Sequence, residues 1–439
     1  MITKINNQLY DQLVADFEVR SIISASSESN ELHALREDAF EHFKKLGFPT
    51  TKVEDWKYTN LTPFLKQAYA TEIDDENITI TDSALAKAAI AGLDCYKVVL
   101  VNGKYNAGLS DVIGEEGIGV SALSSAVNDA SFKAHFGKYT KIDQFHFAAL
   151  NTALFNDGLF IEVKKNAVVK KPVHIIHLLS SAGNIFIQPR FLFVLGSNAE
   201  VSIVESFVTA DDCAAVFVNN VAEIVLDENA HMQHYYVQTG TEQTRMVQQT
   251  DVSQQASSVY NNYKASFPGA ALLRNNFNVA LNAENIESHL WGLYLAGGKQ
   301  VVDNHTIVDH RKPHCQSNEL YKGVMKDEAI AVFNGKIFVR KDAQKTNAFQ
   351  QNNNLMLSQK AVVDSKPQLE IYADDVKCSH GSTVGQFNKE ALFYLKSRGI
   401  GEEKARALLI HAFAFDVTEK MPHDAIQAHI NHLIEDGLK

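Results

Sequence analysis

Cys378 and His380 are the two residues whose types and spacing offer chemistry most directly. They stand in Asp374-Asp375-Val376-Lys377-Cys378-Ser379-His380-Gly381-Ser382-Thr383, where a long β-rich stretch gives way to a helical tail. On a strand, residues i and i+2 point to the same face, about 6.6 Å apart along the chain. The pair therefore presents a thiolate and an imidazole side by side, donors suited to iron or zinc. Two ligands do not fill a tetrahedral site. Either the others come from elsewhere, another chain included, or the pair is a core thiol beside a histidine bonded to backbone. Residue types alone leave both readings open.

A second cluster is the run Asp303-Asn304-His305-Thr306-Ile307-Val308-Asp309-His310-Arg311-Lys312-Pro313-His314-Cys315. Strand alternation puts His305 and Asp309 on one face and His310 on the other, while the adjacent His314 and Cys315 diverge. Unless a bulge intervenes no three of these converge, so structural histidines are expected here. The cysteines, Cys95, Cys213, Cys315 and Cys378, lie 118, 102 and 63 positions apart. That spacing contains no C-x-x-C unit, so no zinc ribbon or ferredoxin-type cluster is written locally.

Nucleotide chemistry is not encoded: there is no G-x-x-x-x-G-K-[ST] and no G-x-G-x-x-G after a strand. Any ATP-driven step is expected from another subunit. The G-x-S-x-G elbow and the H-E-x-x-H helix are missing too. A row of acids on one face of a β-solenoid would suit a polysaccharide-active enzyme. Glu284, Glu287, Asp303 and Asp309 are the acids available, without a compelling pair spacing. This enzyme class is the alternative to a binding or assembly scaffold.

The bulk numbers narrow the class further. The chain has 439 residues, 45% apolar and 21% charged, enough for two or three domains or one long solenoid. A formal charge of −11 argues against non-specific nucleic-acid binding, which needs a basic surface. No apolar run approaches the ~20 residues of a membrane span, and Met1 to Asn7 lacks the apolar core of a signal peptide. A cytoplasmic protein is expected, with no membrane and no nucleic-acid partner.

The supporting elements follow from periodicity. Leu9, Leu13 and Phe17 line one face of a helix over 5–23, and a second helix starts near Ser29 and stops at Gly47. Glu54-Asp55-Trp56-Lys57-Tyr58-Thr59 interleaves acid, aromatic and base; it reads as a loop whose Trp56 plugs a core, with a docking surface as the competing reading. Helices are expected over 83–91 and 143–156, and a hairpin around Asn102-Gly103.

From about 158 the pattern changes to short alternating strands. Asn-Ala dipeptides at 166–167, 198–199, 229–230 and 282–283, with Gln255-Ala256 near the middle of the last interval, give a period of roughly 26–32 residues. Such a loose period in β sequence predicts a solenoid whose units bury their apolar faces against each other. A β-sandwich competes on strand spacing. Gln350-Gln351-Asn352-Asn353-Asn354 is read as side-chain amide ladders at solenoid corners.

Helical spacing returns after 387. Asn388 caps a helix ending at Gly399; Ala405, Leu408, Leu409, Ala412 and Phe413 form the buried face of the next; Pro422 opens a last one through Ile426, Ile430 and Leu433. These helices are expected to pack on the solenoid's end as a cap, or to offer a face to a partner. The chain thus divides into a helical and mixed part (1–157), a β-helix core (158–386) and a helical tail (387–439).

Longer blocks carry a specific resemblance. Trp291-Gly292-Leu293-Tyr294-Leu295, Pro313-His314-Cys315-Gln316-Ser317-Asn318-Glu319, Phe333-Asn334-Gly335-Lys336-Ile337, the Cys378–His380 segment and Leu392-Phe393-Tyr394-Leu395-Lys396-Ser397-Arg398-Gly399 resemble the SufD family of iron–sulfur cluster assembly proteins. The sister SufB family shares the Phe-Tyr-Leu-x-Ser-Arg-Gly element but would lack the Cys-Ser-His-Gly arrangement; a SufB-like paralogue is the alternative. Ser382 stands where alanine is expected. The resemblance implies a right-handed parallel β-helix between helical domains, in a non-catalytic subunit of a scaffold with SufB and the ATPase SufC. It implies SufC binding near Phe393, Tyr394, Arg398 and Ala405, and pairing with SufB through the β-helix edge, or with a second copy in isolation. Cys378 and His380 would then handle transient iron or a nascent iron–sulfur cluster shared with the partner, and this chain would bind no nucleotide.

Overall fold

The computed structural model describes residues 8–72, 78, 80 and 82–438. The first three positions of the helix expected over 5–23 lie outside them. Helices α1 (Gln8–Ser27), α2 (Asn30–Leu46), α3 (Thr62–Leu65) and α4 (Asp82–Ala88) come first. Strands β1 (Tyr96–Val101), β2 (Lys104–Tyr105) and β3 (Ile118–Ala122) and helices α5 (Ala130–His135) and α6 (His146–Leu154) follow.

The chain then winds through β4 (Gly158–Val163), β5 (Val173–Leu179), β6 (Ile185–Ile187), β7 (Arg190–Leu195), β8 (Glu200–Thr209) and β9 (Val216–Leu226). Next come β10 (His231–Gln238), β11 (Thr244–Gln254), β12 (Val259–Ser266), β13 (Leu272–Leu281), β14 (Glu287–Ala296) and β15 (Val301–His310). The last coils hold β16 (Gln316–Met325), β17 (Ile330–Val339), β18 (Asn347–Met356), β19 (Val362–Ile371) and β20 (Lys377–Gly385). Helices α7 (Lys389–Ser397), α8 (Glu402–Thr418) and α9 (Asp424–Gly437) close the chain.

Odd and even strands separate into two sheets. One runs β2-β1-β5-β8-β10-β12-β14-β16-β18-β20, the other β19-β17-β15-β13-β11-β9-β7-β4-β3, with β6 against β9. All pairings are parallel except β1 with β2 and β3 with β4. This is the parallel β-solenoid the repeat predicts, and the sheets take in strands from Tyr96 onward. Alternate residues point inward, and one apolar core runs from Val98 to Ala373.

The corners explain the period. Asn166, Asn198, Asn229, Ser257, Asn285, His314 and Lys345 all have positive φ, at steps of 32, 31, 28, 28, 29 and 31 residues. Asparagine tolerates this left-handed conformation better than most residues. The first three stack: the Asn198 amide donates to Asn166 Oδ1 (2.8 Å) and the Asn229 amide to Asn198 Oδ1 (2.9 Å). Two expectations are corrected here. The fourth and fifth corner residues are Ser257 and Asn285 rather than Gln255 and Asn282. The Gln350–Asn354 run lies within β18, not at a corner, and its alternate members Gln350, Asn352 and Asn354 are buried inside the solenoid.

Helices cover the flanks. The Ser29 hydroxyl caps α2, and Gly47 (φ 63°) ends it. Phe17 of α1 stacks on Phe40 of α2 (3.7 Å between ring centres), and α6 is buried between α2 and the β9/β11 face. Trp56 is buried against Phe147 (5.5 Å), with the Arg274 guanidinium 4.3 Å from its ring, so the core-plugging reading of residues 54–59 holds.

The C-terminal helices differ from expectation in two ways. They pack on the flank formed by β14 and β16, leaving the solenoid's end uncovered. Lys322 anchors α8 through the Phe413 carbonyl (2.8 Å) and Asp416, and Lys326 holds the Gly437 carbonyl of α9 (3.1 Å). The buried face of α8 is Ala405, Ile410, Ala414 and Val417, while Leu408 and Ala412 are exposed. The helix is apolar nearly all round, so periodicity could not choose its face.

Candidate functional site: an uncovered solenoid end

Among the described residues strand β20 is the last of its sheet and pairs only with β18, in the register Ala348↔Cys378, Gln350↔His380 and Asn352↔Ser382. Ala348, Gln350 and Asn352 point into the solenoid, so Cys378, His380 and Ser382 occupy the inward row of the final coil. The expected side-by-side placement of thiol and imidazole follows from this register. Cys378 is half-buried and packs on the end of the apolar core; His380 is exposed because no further coil covers it. Burial pushes the Cys378 thiol up, partly offset by the Ala348 backbone. It is therefore mostly protonated at neutral pH and becomes a strong ligand when a metal displaces the proton.

No group of three or more His, Cys, Asp or Glu among the described residues is close enough to hold a metal ion. The pair is a half-site. Beneath it the interior is polar: Gln350 donates to Glu319 (2.7 Å), and Ser382, Ser365 and Asn352 form a chain of 2.8 Å hydrogen bonds. Ser382, the residue standing in for alanine, thus ties the last strands of the two sheets together. Edge strand β19 carries Pro367, a residue that sheets accept at edges. Around the rim Phe349, Val362, Ile371, Tyr372 and Val384 are exposed.

The residues predicted to meet the ATPase subunit are distributed unevenly. Phe393 (73% exposed) and Tyr394 (56%) stand out from α7, a helix without a buried residue. Arg398 donates to the Tyr394 hydroxyl (3.1 Å) and fixes that ring. Ala405 is fully buried, so its side chain offers no surface.

The histidine run behaves as alternation predicts. His305 pairs with Asp303 (3.0 Å), His310 bonds Ser317 (2.8 Å), and His314 is a corner residue. The acids are neutralised. Burial raises Asp303, but Arg274 and His305 outweigh it and hold it near 2; Arg340 and Arg311 likewise keep Asp309 below its usual value despite burial. Neither is poised as a general acid at neutral pH.

Sequence reasoning missed a buried polar line inside the solenoid. Glu205 accepts from His177 (2.7 Å) and His234 (2.8 Å), and His234 reaches the Tyr260 hydroxyl (2.8 Å). Burial would raise the Glu205 carboxyl, yet hydrogen bonds from both histidines drive it well below the usual range. Burial lowers Lys264 to about 7, and its ammonium bonds Gln248 and Asn275. The signal was available: these partners lie 28 and 29 positions apart, one coil each.

Comparison with known families fits this architecture. Residues 177–413 match the SufBD core domain of the SUF system for FeS cluster assembly, and residues 6–175 match the SufBD protein N-terminal region. The chain belongs to the SufBD family of iron–sulfur cluster assembly proteins. Within it, the chain is 33% identical to the iron–sulfur cluster assembly protein SufD of Escherichia coli, over 89% of this chain and 90% of that one. It is 29% identical to a SufBD family protein of Synechocystis (98% and 96% covered) and 27% to SufD of Bacillus subtilis (93% and 94%). No helix among the described residues is long and apolar enough to cross a membrane.

Proposed function

We propose that this chain is the SufD-like, non-catalytic subunit of a cytoplasmic SufB–SufC–SufD scaffold on which nascent iron–sulfur clusters are built. The observation that carries the reading is the half-site: Cys378 and His380 stand in register at a sheet edge that no other coil covers. An uncovered parallel edge is a template for strand addition. A SufB-like chain adding there supplies the missing ligands, and iron or a cluster is cargo shared across the junction. A cargo held by two donors from each side is released more readily than one caged by four donors of a single chain. The exposed Phe393 and Tyr394 form the docking face for the SufC-like ATPase, which supplies the nucleotide chemistry this sequence lacks.

The test is co-expression with SufB- and SufC-like partners followed by cluster reconstitution. His380→Ala is expected to leave folding and complex assembly intact while lowering the cluster yield. A normal yield from that variant would count against the shared site. The isolated chain is expected to bind iron weakly; a stable stoichiometric cluster on it alone contradicts the proposal.

A further inference from the structure

A broad cleft lies on the outer face of the sheet holding β11, β13, β15 and β17. Its main chamber measures 650 Å³ and continues into a smaller one beside Trp56. That size suits a small molecule. The floor is three outward rows in register: Gln249–Asn276–His305–Asn334, Asp251–Asn278–Ile307–Lys336 and Ser253–Ala280–Asp309–Phe338. One wall is the loop leading into α6, and Asp55 closes another side.

Two observations point to a ligand and to its chemistry. Five cations line the main chamber, Lys138, Lys141, Arg311, Lys336 and Arg340, against three acids. Two of the acids are already occupied. Arg311 and Arg340 both bond Asp309, and Asp251 accepts from Thr140, Gln249 and Asn278. Lys138 and Lys141 are exposed on the lip and make no side-chain ion pair among the described residues. On a chain of net charge −11 this is a local excess of positive charge. Deeper in, Gln249 is 2% exposed, and its Oε1 has no hydrogen-bond partner among the described residues. A buried orphan acceptor calls for a donor.

We propose that this cleft binds a small, multiply charged anion, phosphate- or carboxylate-bearing, with a hydroxyl donor at its other end. The charged end sits among Lys138, Lys141 and Lys336, the last also 3.8 Å from the Glu370 carboxylate, and the hydroxyl reaches Gln249 Oε1. The loop carrying both lip lysines is clamped from below, since Glu223 accepts from the Gly137, Tyr139 and Thr140 amides. The cleft is therefore preformed.

The test is calorimetric titration of the full-length chain with ribose 5-phosphate, citrate and pyrophosphate at about 0.1 M salt. Saturable one-to-one binding at or below about 1 mM is expected for at least one of the two hydroxyl-bearing probes. Comparing those two probes separates phosphate from carboxylate as the charged end. The double variant Lys138→Gln/Lys141→Gln should weaken that binding about ten-fold, while Lys404→Gln on α8 should not change it. Gln249→Leu should weaken the hydroxyl-bearing probe and leave pyrophosphate unaffected. Absence of saturable binding, indifference to the lysine pair, or an equal loss in Lys404→Gln would each overturn the proposal.

Discussion

Replacing Glu223 by glutamine changes one oxygen for one nitrogen, yet the structure makes it a severe substitution. Glu223 and Arg190 are both fully buried and paired at 2.7 Å. One carboxylate oxygen accepts from the Tyr139 (2.8 Å) and Thr140 (3.1 Å) amides; the other accepts from Gly137 N (2.7 Å) and Arg190 Nη2. A glutamine amide nitrogen in the second position faces two donors and leaves the guanidinium without a counter-charge. Breaking a buried pair by removing one partner costs about 3–5 kcal/mol. At roughly 2 °C per kcal/mol for a chain of this size, that is a fall of roughly 6–10 °C in melting temperature. Differential scanning calorimetry reads the shift, and hydrogen exchange should show the 137–140 amides losing protection first. A solenoid need not melt in two states, so the local readout carries as much weight as the midpoint. Adding Arg190→Met removes the stranded charge and should recover a large part of the loss. A single variant melting within about 1 °C of wild type would refute the reasoning, because the desolvated charge would then be compensated elsewhere.

Further outcomes are expected. Burial lowers His174 and His310 to about 4, so the fold holds them neutral while the unfolded chain protonates near 6.5. Below pH 6.5 the unfolded state binds more protons, and stability is lost as pH falls from 6.5 towards 4. His310 should contribute about 2 kcal/mol of that loss by pH 5, visible as a shallower acid slope of melting temperature in His310→Gln. Asn198→Ala loses asparagine's tolerance of φ 60° and breaks the corner ladder, costing about 1–2 kcal/mol, whereas Asn198→Gly loses only the ladder; calorimetry separates them. Phe393→Asp should abolish pull-down of a SufC-like subunit while moving the melting temperature little, since the residue is 73% exposed in this chain.

Much of this fold was legible because geometry and sequence share a period. Asn166, Asn198 and Asn229 announced the corners, since left-handed backbone favours asparagine. The signal faded where serine, histidine and lysine took the same conformation at 257, 314 and 345. The interior was harder to read. Glu205, His234 and Lys264 look like solvent-facing residues of alternating strands, and only stacking of successive coils lets them satisfy one another. For the same reason Gln350 and Asn352 read from the sequence as corner residues. Strand alternation alone puts Cys378 and His380 on one face, but their exposure depends on where the C-terminal helices dock, and α8, with apolar residues on every side, does not disclose that.

The two extremities of the solenoid are unlike, and this sets a limit on how such molecules can add to one another. At one extremity the ladder is blunted by antiparallel β2, two residues long, and β3, five residues long. At the other, β19 and β20 are full-length and parallel. A body with a single adhesive extremity terminates its own growth after one joining event. A second body of the same build meeting β20 would give a closed pair with no remaining template, so a rod of stacked strands would end at two modules instead of propagating as a fibre.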